Sequence, residues 1–212
     1  MNEQLLLGLA AVLVLGIGAQ WLANRLRLPS ILLLLLLGFL AGPVTGLINA
    51  DEIFGDLLFP VVSLSVAVIL FEGGLSLRRS ELPRLRGVIG RLISVGSAAG
   101  VIGIGVVQTL AIGVIGGVLF AGLIVFAIRR YWVPDHLHNP VTLLLVVAAF
   151  ALSNVLHPEA GLLTVTIMGV VLANQNQVSI RHIVEFKENL QVLLIGTLFI
   201  LLASRLELGD LA

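Results

Sequence analysis

The chain has 212 residues, 58% of them hydrophobic and only 11% charged, with a mean hydropathy of +1.13. Soluble domains carry about 25% charged residues, so this composition requires an integral membrane protein. Twelve basic and twelve acidic residues cancel, so no net field recruits nucleic acid, and the lack of cysteine excludes a disulfide framework or a Cys-based metal site.

The N-terminus, MNEQLLLGLA, has no basic n-region and its apolar run continues to Ala23, which predicts a retained first span over 5–23 rather than a cleaved signal. A crossing needs roughly 20 apolar residues for a hydrocarbon core about 30 Å thick. The stretch 30–48, SILLLLLLGFLAGPVTGLI, has that length, but Gly42-Pro43 in its last third predicts a kink or an early end. A third span is predicted over 57–77.

Gly87 to Ile128 would, as one helix, be about 63 Å long, twice the bilayer core. A turn at its only polar pair, Gln108-Thr109, divides it into spans 87–106 and 110–128. Further spans are predicted over 139–156, 158–174 and 189–206, giving an all-α polytopic membrane helix bundle of about eight spans in one transmembrane domain, 1–212.

Charge placement tests that count. NADEIFGD (49–56) is acidic, whereas ANRLR (23–27) and RRSELPRLR (78–86) are basic, so the positive-inside rule puts the N-terminus outside. If 87–128 crosses twice, Arg129, Arg130, Arg181 and Lys187 also fall inside; if it crosses once, all four fall outside. Two crossings satisfy the rule and leave both termini outside.

Among residues able to carry chemistry, Glu72 in VAVILFEGGLSL stands out. A charge at the bilayer centre costs about 2.5 to 3.5 kcal/mol even on lenient scales, so an intramembrane acid is a candidate for an ion or proton pathway. Glu72 lies six residues before Arg78, about 9 Å deep from the cytoplasmic side. Gly73 and Gly74 beside it remove bulk and admit water or another backbone. The plainer reading is a carboxyl buried against neighbouring helices or paired with an interface arginine.

Weaker candidates are Asn154, in the outer-turn set Ser153, Asn154, His157 and Glu159, and Glu185 and Glu188 in SIRHIVEFKENLQ. The first set reads chiefly as a solvated loop. The second reads as an amphipathic interfacial helix leading into the last span. Arg91 and Arg205 read as interface anchors. Asp135, His136 and His138 have poor metal-ligand spacing, so no metal site and no cofactor is assigned. Gly113 and Gly117 form a GxxxG, joined by Gly116 and Gly122, which suits close helix packing. No nucleophile elbow, P-loop, zincin helix or dinucleotide fingerprint supports an enzyme.

The strings LRLPSILLLLLLGFLAGP (26–43) and LFPVVSLSVAVILFEGGLSL (58–77) resemble the opening of bacterial monovalent cation/proton antiporters of the NhaP type, relatives of the sodium/proton exchangers. NPVTLLLVVAAFALSNVLHPEAGLLTVTIMGVVLANQ (139–175) and IRHIVEFKENLQVLLIGTLFILLASRL (180–206) look like a more C-terminal part of the same family. The resemblance implies exchange of sodium or potassium for protons in a bacterial inner membrane, with cations, protons and lipid as partners and room for a homodimer. It also implies two broken helices crossing near the midplane beside an Asn-Asp or Asp-Pro motif, the general arrangement of transporter ion sites.

The chain departs from that pattern. No Asp occurs between Asp56 and Asp135 and no proline between Pro83 and Pro134, so about two spans with the ion-site carboxylates are missing near RLISVGSAAG (91–100), and the family would supply more spans after Ala212. None of the ion-site carboxylates that the resemblance implies can be carried over; only Glu72, in the matching FEGGL string, has a counterpart. The expectation is an antiporter-family chain with little or no transport of its own. The alternatives are a non-transporting fragment or helix-packing module, docking through a Gly-rich face such as 113–122, and a small channel.

Overall fold

In the computed structural model every described element is helical, and the description covers residues 3–77, 104–178 and 181–206, with side chains from 7 onward except 104, 107 and 181–189. Eight α-helices result: α1 Glu3–Leu26, α2 Ser30–Phe39, α3 Ala50–Phe54, α4 Leu58–Ser76, α5 Ile104–Arg129, α6 His138–Leu156, α7 Ala160–Asn174 and α8 Arg181–Ser204. By length and apolarity 7–26, 50–76, 108–129 and 135–156 can cross a membrane, and 30–44, 160–174 and 190–204 are shorter apolar helices. The predicted all-α membrane bundle is therefore found, as a partial bundle. The span expected over 87–106 lies largely outside the described residues.

One expectation fails. The turn predicted at Gln108-Thr109 is not made, because α5 runs unbroken through both residues. The Thr109 hydroxyl donates back to the Gly105 carbonyl at 2.9 Å, which satisfies it inside a helix without a break. Gln108 is exposed.

The chain divides into two compact units, 1–65 with 188–212, and 66–187. In the first, α1 ends in a Schellman motif: Leu28 N–H bonds the Ala23 carbonyl at 3.0 Å and Arg27 N–H that of Asn24 at 3.4 Å, with Arg27 at φ +56°. Pro29 then opens α2. The predicted interruption at Gly42-Pro43 takes a specific form. Pro43 has no N–H to give and its ring crowds the preceding turn, so residues 40–44 widen into a π-turn, closed by Thr45 N–H on the Leu40 carbonyl at 3.1 Å.

Between helices in lipid there is little hydrophobic driving force, so close contact depends on small residues. A methyl on Gly16 would come within 3.1 Å of the Gly196 carbonyl carbon, so α1 and α8 cross backbone to backbone. Gly38 is as tight against Ile200 and Ala203, at 3.0 and 2.8 Å. Val12, Ala19, Leu34, Ile48, Leu58, Ile200 and Leu201 form the core around these crossings. Large apolar side chains such as Leu7, Val14 and Trp21 remain exposed, as lipid-facing residues should.

In the second unit the short helix α7 is central. Val165, Met168 and Leu172 are fully buried. Methyls on Gly113 and Gly117 of α5 would come within 2.6 Å of Leu163 and 2.7 Å of Ile167, so the GxxxG face is occupied by α7. A methyl on Gly161 would come within 2.7 Å of the Phe150 ring of α6. α8 is continuous from Arg181, so the segment read as an interfacial helix joins the last span without a break.

Candidate functional site

Glu72 sits one turn from the end of α4 and is 3% exposed, the one buried carboxylate among residues whose side chains are described. Phe71 and Leu75 flank it and are also buried. Its backbone carbonyl accepts from the Ser76 hydroxyl at 3.2 Å.

The two neighbouring glycines do different things. On Gly74 a methyl would overlap the Thr166 carbonyl and come within 3.2 Å of Gly169 Cα, so this position holds α4 directly against the α7 backbone. On Gly73 a methyl would meet nothing within 4 Å. The Gly-Gly pair therefore has one tight position, Gly74 against α7, and one position, Gly73, where a side chain would fit. At the end of the same crossing Asn174 donates to the Leu77 carbonyl at 2.9 Å, tying α7 to α4.

Among the described side chains, Asn154 does not join Glu72. Asn154 Oδ1 accepts the Gly161 N–H at 2.9 Å, so it caps the start of α7 where Glu159, at φ +66°, gives no side-chain cap. That is a structural task. Asn154's contact at Gly161 and the Glu72 turn's contact near Gly169 are eight residues apart on α7, about 12 Å along its axis. Glu185 and Glu188 lie in the first turns of α8, and their side chains fall outside the description.

Ser153 was expected in a solvated loop and is instead 3% exposed. Its Oγ lies 2.8 Å from Thr164 Oγ1, which also bonds the Ala160 carbonyl at 2.9 Å. Gly116 makes room for this pair, since a methyl there would sit 3.3 Å from both hydroxyl oxygens. Sequence reasoning missed Thr164; its signal was a hydroxyl in an otherwise apolar run, four residues after the start of a short helix. His157 Nδ1 lies 3.0 Å from both Thr109 Oγ1 and the Pro158 carbonyl. A carbonyl only accepts, so Nδ1 carries the proton in this arrangement.

Of the loop set Asp135, His136 and His138, His138 is buried and its Nε2 donates to the Val133 carbonyl at 3.2 Å. Its distance to Asp135 is 3.7 Å. Arg205 lies 3.3 Å from Asp51 and its guanidinium stacks over Phe59 at 4.8 Å, so its partners are within the chain.

The family "Sodium/hydrogen exchanger, transmembrane" matches residues 9–128, more than half of the chain and including α1 to α4 with Glu72. Neither a curated protein nor a solved structure gives a match. The family match ends at Ile128, so the likeness read in 139–206 rests on its sequence strings. That match covers more than half of the chain, and this chain belongs to the sodium/hydrogen exchanger family.

Proposed function

We propose that this chain is a module of an NhaP-type antiporter, exchanging sodium or potassium for protons, and that Glu72 is its ion or proton carrier. The buried Glu72 carboxylate is the observation that carries the reading. A carboxylate can hold either a cation or a proton, and binding one excludes the other, which is the minimum chemistry of exchange. Gly74 fixes the Glu72 turn against the α7 backbone.

A single acid is a thin site. With no Asp between Asp56 and Asp135, the paired carboxylates that the resemblance leads one to expect have no counterpart, and the chain alone carries little or no coupled flux. The test is sodium- or potassium-driven proton flux in liposomes. Flux near the leak of empty vesicles is expected. Saturable exchange would overturn the inactive reading, and its loss in Glu72→Gln would then identify the carrier.

The proposed setting is a bacterial inner membrane, with the N-terminus outside and two copies as a homodimer. Contacts within each unit support the crossing parity. Asp51 and Arg205 meet at one end of the first unit. In the second, Leu77 is bonded to Asn174 at one end, while Thr109 contacts His157 at the other. The described residues on either side of 78–103 thus lie at opposite ends of the second unit. Of the face named for the helix-packing alternative, Gly113 and Gly117 are covered by α7, whereas Gly122 stays open.

A further inference from the structure

Away from Glu72, the C-terminal end of α5, the residues leading into α6 and those after α7 border an open cavity of about 400 Å³. Arg129, Tyr131, Asp135, His138 and Gln177 supply its polar lining. The cavity lies where an apolar helix gives way to Arg129-Arg130, followed by Tyr131 and Trp132, which are 92% and 71% exposed. Basic and aromatic residues together at a helix end mark the headgroup level of a bilayer.

The lining discriminates by charge. Arg129 Nη1 donates to Gln177 Oε1 at 3.4 Å, and the guanidinium has five N–H groups in all, so donors remain for an oxyanion. Asp135, with a side chain 91% exposed, sets a carboxylate on the same cavity. A simple anion would gain from Arg129 and be repelled by Asp135; a simple cation would meet the reverse. The His138 Nε2–H is engaged by Val133, which leaves its other ring nitrogen as an acceptor or, when protonated, a donor.

We propose that this cavity binds a phosphate with a primary ammonium beside it, the chemistry of an aminophospholipid headgroup. Arg129 takes the phosphate and Asp135 the ammonium. A choline headgroup has no N–H for Asp135, and a glycerol headgroup has no cation at all. The site is independent of Glu72 and of whether the chain transports.

The full chain, purified and reconstituted with phosphatidylethanolamine, phosphatidylcholine or phosphatidylglycerol of matched acyl chains, is assayed for retained lipid by native mass spectrometry. Phosphatidylethanolamine is expected to bind about tenfold tighter than the other two. Arg129→Gln should remove that tenfold, and Asp135→Asn should abolish the preference over phosphatidylglycerol. Arg25→Gln is the control: Arg25 is a second basic residue at a helix end beside an aromatic ring, that of Trp21 at 5.7 Å, and does not line the cavity. Displacement of the lipid by millimolar O-phosphoethanolamine would show that the headgroup alone suffices; no displacement would show that the acyl chains are needed as well. Equal retention of all three lipids overturns the proposal, as does wild-type selectivity in Asp135→Asn or an equal loss in Arg25→Gln. If Arg129→Gln does not fold, the exposed Asp135→Asn variant decides by itself.

Discussion

Gly74 of α4 and Gly169 of α7 meet backbone to backbone: a methyl on either would come within 3.2 Å of the other's Cα. This contact fixes the turn that carries Glu72. Gly74→Ala or Gly169→Ala forces the helices apart and should cost about 1 to 3 kcal/mol, the usual range for overpacking. Gly73→Ala meets open space and should change stability by less than about 0.5 kcal/mol. Thermal melts of the three variants in detergent give the comparison; equal losses at Gly73 and Gly74 would refute the assignment of faces.

The hydroxyl pair Ser153 and Thr164 joins α6 to α7 in an apolar interior. Thr164→Val keeps the shape but removes both of its hydrogen bonds, and the loss should be about 0.6 to 1.7 kcal/mol, the range of polar contacts between membrane helices. If Ser153→Ala and Thr164→Val combine additively in a double-mutant cycle, the pair is not coupled and the reading fails.

Crossing parity can be read with cysteines, since the chain has none of its own. Single cysteines at Asp51 and Arg205 should react with an impermeant maleimide from the same side as each other. Within the second unit, one at His157 should react from one side and those replacing Arg129 and Gln177 from the other. Labelling of positions 157 and 177 from the same side would contradict the arrangement of α7.

Arg27 holds the left-handed position of a Schellman motif at φ +56°, a conformation that disfavours side chains with a Cβ. Arg27→Gly should therefore stabilise the turn by up to about 1 kcal/mol in denaturant titration. Loss of stability would instead assign the arginine a contact with lipid headgroups that outweighs the backbone strain.

The Arg205–Asp51 pair is about half exposed and should contribute under about 1 kcal/mol, weakening as salt is raised. Asp51→Asn measured at low and high ionic strength checks both the size and the salt dependence.

Most of the helices and the singular character of Glu72 were legible in the sequence, because hydropathy and charge act locally and lipid permits no other backbone arrangement. Pro43 likewise announced its break, since a missing N–H is a property of the residue itself. Tertiary structure decided the rest. Whether Gln108-Thr109 turned depended on a backbone acceptor and on His157, 48 residues away. Ser153 looked like loop until Thr164 was placed against it, and Gly113 looked available until α7 covered it. A side chain's type fixes which partners it can accept, but only the packing of distant helices determines which partner is there.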